Sequence, residues 1–294
     1  MSSKIILGTM MFGWKVPLID ANKIMDLAVK NGIDTLDTSP SYGSGISEIM
    51  CGKLIEKYPQ IKISTKFTMS EGLYGNSLAL HLIRQCNQSI DRLRCGEINI
   101  FTLHNDENLT NVDTFCESIL VLKQKKLINN FFLSNSCLDT YIKIKLFEKL
   151  NKVKVIDGLQ IRKNLLFADD LLKSDQLEAS EVIYSYSPLC EGLLTGKYLV
   201  SSTPPKKSRL AQVNRHLEYY DSLRSADITK QIFYFKSESK KIGLTLTEYS
   251  YLSLLLSENI TKVIAGPSNI AQLRDAIKCE QMSVRFKSNG CFFE

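Results

Sequence analysis

The sequence lacks the features that would assign it to a metal-binding or membrane class. None of its eight cysteines has another cysteine three positions away, so the paired-thiol spacing of zinc and redox sites is missing. In a chain of this length such thiols are typical of a reduced, cytosolic protein. No apolar run approaches the roughly 18 residues that a membrane-spanning helix requires. We therefore expect a soluble cytoplasmic protein with no metal site and no membrane partner.

We also expect no secretion signal at the N-terminus, although Lys4 and the apolar residues 5–14 superficially suggest one. No small-residue cleavage site follows them, and cleavage would remove what looks like the first strand of the core.

A strong charge of one sign is absent as well. The 37 basic and 31 acidic residues give a net charge of +6, and the lysines are spread along the chain, singly or in short pairs such as Lys125–Lys126 and Lys240–Lys241. This spread is typical of a solvated surface rather than of a stripe that binds nucleic acid, so we expect no nucleic-acid partner. A local basic patch can still attract an anionic cofactor.

A repeat of strand and helix is present instead. Short apolar, β-branched runs begin near Ile5, Ile33, Ile61, Ile98, Ile128, Val155, Val182 and Val263. Amphipathic stretches such as residues 20–32 and 76–93 separate most of them. A strand–helix unit of about 30 residues, repeated eight times, predicts an α/β chain folded as one (β/α)8 TIM barrel over residues 1–294. A doubly wound sheet is the alternative, but "LGTMMFG" after the first strand lacks the usual G-x-G-x-x-G turn.

The interval before the last strand is much longer than the others. It holds the polar stretch "SSTPPKKSRLAQVNRH" and two helical runs near 226–241 and 246–257. This pattern predicts an elaborated loop between strands 7 and 8, and loops of that length are usually functional.

Active sites of such barrels lie at the carboxyl ends of the strands. Strand 2 ends in Asp37, with Tyr42 five residues later, strand 3 ends in Lys66, and strand 4 ends in His104. Singly, a strand-end Asp or His is more often a turn residue or an ordinary polar contact. Together they suit protonation of a carbonyl oxygen, because an ammonium beside a tyrosine favours its phenolate and an aspartate keeps that ammonium charged. The histidine would orient the carbonyl or share the proton.

Several motifs carry a family resemblance. "DTSPSYGSGISE", "STKF", "LHND", "LQIRKNLL", "YSPLCEGLLTGKY" and "IAGPSNIAQL" appear in one order along nearly the whole chain. In this the sequence resembles the aldo-keto reductases, especially the branch that includes potassium-channel β-subunit-like oxidoreductases. The resemblance implies a TIM barrel that binds NADP(H) without a Rossmann domain. It also implies a catalytic tetrad of Asp37, Tyr42, Lys66 and His104, with Tyr42 as the proton donor.

The same resemblance implies a set of cofactor-binding residues. Those near the nicotinamide are Thr9, Met10, Ser134, Asn135 and Gln160, with Tyr186 stacked on the ring. Those along the pyrophosphate are Ser187, Pro188, Leu189, Gly192 and Lys197. Those at the adenosine and 2′-phosphate end are Arg209, Gly266, Ser268, Gln272 and Asp275. The chain departs from the family pattern at Asp275, where a glutamate is usual, and at Lys163, where an aromatic residue is usual.

These observations predict an NADPH-dependent reductase of an aldehyde or ketone, with a small carbonyl compound as its partner. A non-catalytic, cofactor-sensing or partner-binding subunit on the same scaffold is the alternative, because fold alone does not choose between them. Met11, Phe12 and Trp14 are expected to form a wall of the substrate pocket, with core packing as the other interpretation of Phe12. The oligomeric state is not predicted.

Overall fold

The eight apolar runs form eight parallel strands that close into a barrel. The computed structural model describes residues 3–69, 76–199, 208, 223 and 225–288. Each strand pairs with the next one along the chain, and the last returns to pair with the first. The strands are β1 (Ile5–Gly8), β2 (Thr35–Asp37), β3 (Lys62–Phe67), β4 (Ile98–Leu103), β5 (Ile128–Ser134), β6 (Gly158–Arg162), β7 (Ile183–Tyr186) and β8 (Lys262–Ala265). The predicted (β/α)8 barrel is confirmed, and the doubly wound sheet is excluded because its edge strands would have a single neighbour.

Helices surround this barrel at the places where the sequence is amphipathic. They are α1 (Leu18–Lys30), α2 (Ile46–Ile55), α3 (Asn76–Leu93), α4 (Val112–Gln124), α5 (Leu138–Asn151), α6 (Ala226–Lys241), α7 (Leu246–Leu255) and α8 (Ile270–Ser288). Local sequence explains their ends. For example, α7 begins at a capping box in which Thr245 and Glu248 bind each other's backbone amides. Within the described ranges no helix is long and apolar enough to cross a membrane.

The predicted elaboration between strands 7 and 8 is present. It contains a short 3₁₀ helix (Cys190–Thr195) followed by α6 and α7. A separate apolar cluster joins these three elements, formed by Cys190, Leu193, Leu194, Leu223, Ile232 and Leu246. Most of the polar stretch at 201–216 lies outside the described residues. The elaboration therefore packs as a unit beside the barrel mouth.

Strand β2 begins later than the apolar pattern predicts, at Thr35 rather than Ile33. The backbone amide of Ile33 donates to the carbonyl of Ala28 and so completes the end of α1. Asp34 then forms ion pairs with Lys262 at 2.9 Å and Lys62 at 3.4 Å. Pairing with β3 then begins at the amide of Lys62, which donates to the carbonyl of Asp34 at 2.8 Å, and the apolar pattern alone does not reveal this.

Strand β6 also begins late, at Gly158 rather than Val155. The amides of Val155 and Ile156 donate to the Glu148 carboxylate at 2.6 and 2.7 Å and are therefore not used in the sheet. Both side chains are fully buried. The apolar run that begins at Val155 therefore indicates burial under α5 as well as strand pairing.

The inward-facing positions of the strands form two layers, because residues i and i+2 of a strand share a face. The lower layer is apolar and comprises Ile6, Ile100, Phe132, Tyr184 and Ile264. Two positions later on the same strands stand Gly8, Thr102, Ser134, Tyr186 and Gly266. The barrel therefore has an apolar floor, and small or polar residues lie above it at the carboxyl ends of the strands.

The cysteines of the described residues carry free thiols. Burial raises the pKa of Cys51, Cys86, Cys116 and Cys279 to about 12. These four thiols therefore stay protonated at neutral pH and act as small apolar residues.

Candidate active site

The four residues predicted to be catalytic meet at the carboxyl end of the barrel. Asp37 ends β2, Lys66 lies next to the end of β3, and His104 directly follows β4. Tyr42 stands on the loop between β2 and α2. All four line one cleft of about 1340 Å³. Their predicted convergence is observed, while their catalytic roles stay predictions.

A buried ion pair forms the base of this cleft. Lys66 Nζ lies 2.6 Å from Asp37 Oδ2, and each side chain is 4% exposed. The ammonium also donates to the carbonyl oxygen of Thr38 at 2.9 Å. The second carboxylate oxygen, Oδ1, accepts from Ser64 Oγ at 2.9 Å and from Gln160 Nε2 at 2.8 Å. Because buried charges need both a partner and hydrogen bonds, these contacts hold the pair in one arrangement.

The surroundings keep Lys66 protonated. Burial lowers the pKa of its ammonium, but the charges of Asp37 and Tyr42, together with hydrogen bonds to both, raise it by more. The net result is a pKa above the ordinary value of a lysine. Lys66 is therefore a fixed positive charge at neutral pH.

Tyr42 lies directly against this charge. Lys66 Nζ is 5.1 Å from the centre of the Tyr42 ring, and a hydrogen bond joins the two side chains. An ammonium in this position stabilises the phenolate that a tyrosine becomes when it gives up its proton. The arrangement therefore suits Tyr42 to proton donation.

The loop that carries Tyr42 turns through residues with left-handed backbone. Gly43, Ser44 and Gly45 have φ angles of 59°, 54° and 90°, a region that glycine enters without steric cost. The Tyr42 amide donates to the carbonyl of Ser39 at 3.1 Å, and α2 begins directly after Gly45. The "GSG" sequence thus lets the chain enter a helix immediately after it has presented the tyrosine.

His104 lies near the ring of Tyr42. The two rings are 6.4 Å apart and nearly perpendicular, at 84°. Burial lowers the pKa of His104, the positive charge of Lys66 lowers it further, and Asp37 offsets only part, which leaves the pKa at about 4. The imidazole is therefore neutral at pH 7, and it can take part in a hydrogen bond without carrying a charge.

The residues predicted to surround the nicotinamide lie at the ends of the next strands. Ser134 ends β5, Asn135 follows it, and Tyr186 ends β7. The Tyr186 hydroxyl donates to Asn135 Oδ1, and Asn135 Nδ2 donates to the carbonyl oxygen of His104 at 2.8 Å. These residues are brought together as predicted, and Asn135 links them to the tetrad.

Gln160 and Thr9, predicted to bind the cofactor, make further contacts that their positions in the sequence do not indicate. Gln160 is buried, and its Nε2 also lies 3.2 Å from Ser64 Oγ, in addition to its bond with Asp37. Thr9 is fully buried, and its hydroxyl donates to the backbone oxygen of Asp37 at 3.0 Å. Both line the cleft, as does Met10. Gln160 and Thr9 therefore hold Asp37 in place and also face the cleft.

The segment after β7 has an unusual backbone. Ser187, Cys190, Glu191 and Gly192 have φ angles of 55°, 45°, 56° and 91°. A Cβ added at Gly192 would lie 2.8 Å from Lys197 Nζ, so the glycine gives the ammonium its place over this turn. The predicted pyrophosphate residues all line the cleft: Ser187, Pro188, Leu189, Gly192 and Lys197. Backbone turns of this kind bind anions through their amides, and Lys197 adds a positive charge.

The predicted adenosine end lies at the start of α8. Gly266, Ser268, Gln272 and Asp275 line the same cleft. The amide and hydroxyl of Ser268 both bind Gln272 Oε1, at 2.7 and 3.0 Å. Arg209 lies outside the described residues, so its place at this end stays a prediction.

The loop after β1 forms another wall of the cleft. Met11 and Trp14 line it, as predicted. Phe12 is fully buried in the main core, so the expectation that it walls the pocket is wrong and its core interpretation is correct. Met11 is buried in the same core but also reaches the cleft, whereas Trp14 is exposed.

One group beside the site was not predicted. Glu48 in α2 is fully buried, accepts from Thr65 Oγ1 at 2.6 Å, and forms an ion pair with Arg92 Nε at 2.6 Å. Thr65 is the neighbour of Lys66, and the Arg92 side chain lies against Gly45. The signal available in the sequence was an acid within the mostly apolar helix "ISEIMCGKLI", because a buried carboxylate requires a partner.

Comparison with known proteins agrees with this geometry. Residues 4–286 match the family described as "Aldo/keto reductase family". The chain is 26% identical over 266 residues to the "uncharacterized oxidoreductase YqkF" of Bacillus subtilis (strain 168), covering 88% of this chain and 81% of that protein. It is 26% identical over 238 residues to the chloroplastic pyridoxal reductase of Arabidopsis thaliana, covering 71% of this chain and 62% of that protein.

A solved structure of a glycerol dehydrogenase from Gluconobacter oxydans shares the fold. The TM-score is 0.72 at 21% identity, over 97% of this chain and 90% of that chain. A "probable voltage-gated potassium channel subunit beta" of Arabidopsis thaliana is 21% identical over 282 residues, covering 91% of this chain and 84% of that protein. Since the family match spans almost the whole chain, the protein belongs to the aldo/keto reductase family of oxidoreductases.

Proposed function

We propose that the protein is an NADPH-dependent reductase that converts an aldehyde or a ketone into an alcohol. The observation that carries this proposal is the buried Asp37–Lys66 pair, which lies against the hydroxyl of Tyr42 inside a cleft. A charged pair is costly to bury and gives little net stability, so its position beside a tyrosine suits a role in chemistry.

The cleft also suits a large anionic cofactor. Its volume of about 1340 Å³ exceeds the roughly 300–1,000 Å³ of common small-molecule pockets, which leaves room for a cofactor and a substrate together. Lys197, over the turn at Gly192, supplies positive charge for phosphate groups. When bound, NADPH supplies the hydride that the carbonyl carbon receives.

Each region of the cleft would hold one part of this cofactor. Ser134, Asn135, Gln160 and Tyr186 would hold the nicotinamide, beside Thr9 and Met10. The segment from Ser187 to Lys197 would bind the pyrophosphate through its backbone and the Lys197 ammonium. Ser268, Gln272 and Asp275, beside Gly266, would bind the adenosine end. In the sequence, Arg209 adds a second cation for the 2′-phosphate.

Tyr42 is the proposed proton donor. It gives its hydroxyl proton to the carbonyl oxygen, on which negative charge develops, and so completes the alcohol. Lys66 stabilises the phenolate that remains, and Asp37 keeps Lys66 charged and oriented. Solvent then returns a proton to Tyr42. Every step within the protein therefore uses side chains that contact one another at the base of the cleft.

His104 is proposed to orient the carbonyl. With a pKa of about 4 it is neutral at pH 7 and can share a hydrogen bond with the carbonyl oxygen. A neutral imidazole adds no second positive charge beside Lys66, which would oppose protonation of Lys66. This division leaves the positive charge to Lys66 and the orientation of the substrate to His104.

Reduction of a simple aldehyde tests the proposal. The protein, given NADPH and para-nitrobenzaldehyde, should form the alcohol and NADP⁺ in equal amounts, measured by chromatography and by the loss of NADPH absorbance. One relative is named a potassium channel subunit, which makes a non-catalytic partner-binding role the second candidate. NADPH binding without alcohol from a panel of aromatic and aliphatic aldehydes and ketones would favour that candidate.

A further inference from the structure

A tryptophan and a lysine line the cleft together on the loop after β1. Trp14 and Lys15 are both part of the cleft wall, and Lys15 Nζ lies 4.8 Å from the centre of the Trp14 ring. The indole is 45% exposed, and Lys15 is partly buried. The face of an indole attracts an ammonium. The ring therefore holds the positive charge at the cleft wall, where a long side chain would otherwise extend into solvent.

The loop that carries this pair is fixed to its surroundings. The amides of Trp14, Lys15 and Val16 all donate to the carbonyl oxygen of Met11, at 3.3, 2.9 and 2.9 Å. Gly13 has φ +79°, and a Cβ at this position would overlap Ile46 Cγ2 at the start of α2. The loop therefore packs closely against the helix that follows Tyr42, and it presents Lys15 from a defined position.

The charge of Lys15 stands out in this part of the cleft. Strands β1 and β2 are neighbours, with Gly8 paired to Asp37, so the segments that follow them flank the same region. Those segments, residues 9–17 and 38–45, contain Lys15 as their only charged residue. Among the described residues, the acids that line the cleft are Asp37, which is bound to Lys66, Glu191 in the 3₁₀ helix after β7, and Asp275 in α8. Within the described part of the chain, Lys15 therefore brings a positive charge to the wall beside Tyr42.

We propose that the substrate is a carbonyl compound that carries a carboxylate or phosphate group, and that Lys15 binds this anionic group. The inference rests on the proposed function, because it concerns the part of the substrate remote from the carbonyl that faces Tyr42. Trp14 provides an apolar surface beside the ammonium for the carbon skeleton between the two groups. Substrates of this class have both an electrophilic carbon and an anchoring anion.

Matched pairs of aldehydes test the proposal. One pair is para-carboxybenzaldehyde and para-nitrobenzaldehyde, and the other is glyceraldehyde phosphate and glyceraldehyde. For each pair, the ratio of kcat/KM for the anionic member to that for the neutral member is measured in the wild type, Lys15→Met and Lys15→Arg. Lys15→Met should lower this ratio about 10- to 100-fold, mainly through KM, which is the range expected for a hydrogen bond to a charged group. Lys15→Arg should restore most of it, and added salt should weaken the preference of the wild type.

The control variant is Lys57→Met. Lys57 also lies over an aromatic ring, 5.0 Å from the centre of Tyr58, but it is not part of the cleft wall. In Lys57→Met, the ratio of kcat/KM for the anionic aldehyde to that for the neutral aldehyde should equal the wild-type ratio. A response to only one pair would identify the anion as carboxylate or as phosphate. The proposal is overturned if Lys15→Met leaves both ratios unchanged, or if it raises the KM of NADPH and lowers the rates of both members of each pair equally.

A binding measurement separates this proposal from the proposed function. Titration calorimetry of the protein with NADP⁺ and para-carboxybenzaldehyde does not require turnover. If no aldehyde is reduced, yet Lys15→Met weakens this binding at least tenfold, the anion site is supported and the proposed reductase activity is wrong. Equal binding by the wild type and Lys15→Met contradicts the anion site, whatever the turnover.

Discussion

The side-chain amide of Gln160 donates to Asp37 Oδ1 at 2.8 Å, while the other oxygen of the same carboxylate pairs with Lys66. Gln160 is in β6, whereas Asp37 is in β2, so this bond crosses the interior of the barrel. It joins a residue predicted to bind the nicotinamide to the residue that holds Lys66 beside the proposed proton donor. The cofactor side and the proton-donating side of the site therefore share one buried network.

Gln160→Met tests whether this network stabilises the protein without cofactor. The variant keeps the size of the side chain but removes a buried donor to a carboxylate. We expect the free energy of unfolding in urea, measured without NADPH, to fall by about 1–3 kcal/mol. Ser268→Ala, at the partly exposed adenosine end, serves as the control and should change it by no more than about 0.5 kcal/mol. An unchanged stability for Gln160→Met would mean that the amide serves the cofactor alone.

The neutral state of His104 predicts a pH dependence of stability. Its folded-state pKa is about 4 against an ordinary 6.5. Between these values the unfolded chain binds a proton that the folded chain does not, so stability falls as the pH falls. Between pH 7 and about pH 5 this contribution is about 2 kcal/mol.

The variant His104→Gln should therefore lose about 2 kcal/mol less stability than the wild type over that pH interval. Urea unfolding at both pH values measures the difference, and contributions from other groups cancel in the comparison. Equal losses in the two proteins would show that the imidazole titrates alike in the folded and unfolded states.

Alanine variants at two glycines of one turn distinguish the effect of backbone strain from the effect of displacing Lys197. Gly192 and Gly196 have φ angles of +91° and +74°, but only a Cβ at Gly192 would collide with Lys197 Nζ. Alanine at either position should cost about 1–2 kcal/mol of stability because of the left-handed backbone. Only Gly192→Ala should also weaken NADPH binding, by roughly tenfold, in a fluorescence titration. Similar affinities for the two variants would show that the ammonium over this turn does not contribute to binding.

The pair Glu48–Arg92 should stabilise the loop that carries Tyr42. The Glu48 side chain is 0% exposed and that of Arg92 28%. Glu48→Gln should therefore lower the free energy of unfolding by about 2–4 kcal/mol, near the lower part of the range for a broken buried pair. Turnover should fall with it, because Glu48 lies in the first turns of α2.

Glu56→Gln is the matched control for that variant. Glu56 pairs with Arg94 at the surface, where the side chains are 55% and 52% exposed. Glu56→Gln should lower the free energy of unfolding by no more than about 1 kcal/mol and leave turnover unchanged. Equal stability losses for the two variants would contradict the assigned role of Glu48.

The barrel and the convergence of Asp37, Tyr42, Lys66 and His104 could be predicted, because both follow from periodicity. The strand–helix repeat predicts the barrel, and strand ends in a parallel barrel meet at one rim. The partners of these residues could not be predicted in this way. The bonds from Gln160 to Asp37 and from Glu48 to Arg92 join elements distant in sequence.

The boundaries of β2 and β6 were wrong for a related reason. Ile33 and Val155 belong to the core, but their backbone amides bind Ala28 and Glu148 instead of a neighbouring strand. Burial is readable from an apolar run, whereas the partner of a backbone amide is not. The same limit applies to Phe12, whose apolar character fits either a pocket wall or the core.

Replacement of the proposed proton donor distinguishes an effect on the chemical step from an effect on cofactor binding. Tyr42→Phe keeps the ring against Lys66 and removes the hydroxyl, so NADPH affinity should stay nearly unchanged. Lys66→Met should also impair turnover, and its effect should not add to that of Tyr42→Phe, since Lys66 acts through that hydroxyl. Tyr58→Phe is the control, because its hydroxyl binds Asp26 outside the cleft.

The most direct test of the central claim is the single-turnover rate of hydride transfer in Tyr42→Phe, measured with saturating NADPH and a good aldehyde substrate. The rate should fall by roughly 10²–10⁴-fold, the effect typical of losing a general acid, while Tyr58→Phe keeps the wild-type rate. A wild-type rate in Tyr42→Phe, under conditions where hydride transfer limits turnover, would show that Tyr42 is not the proton donor.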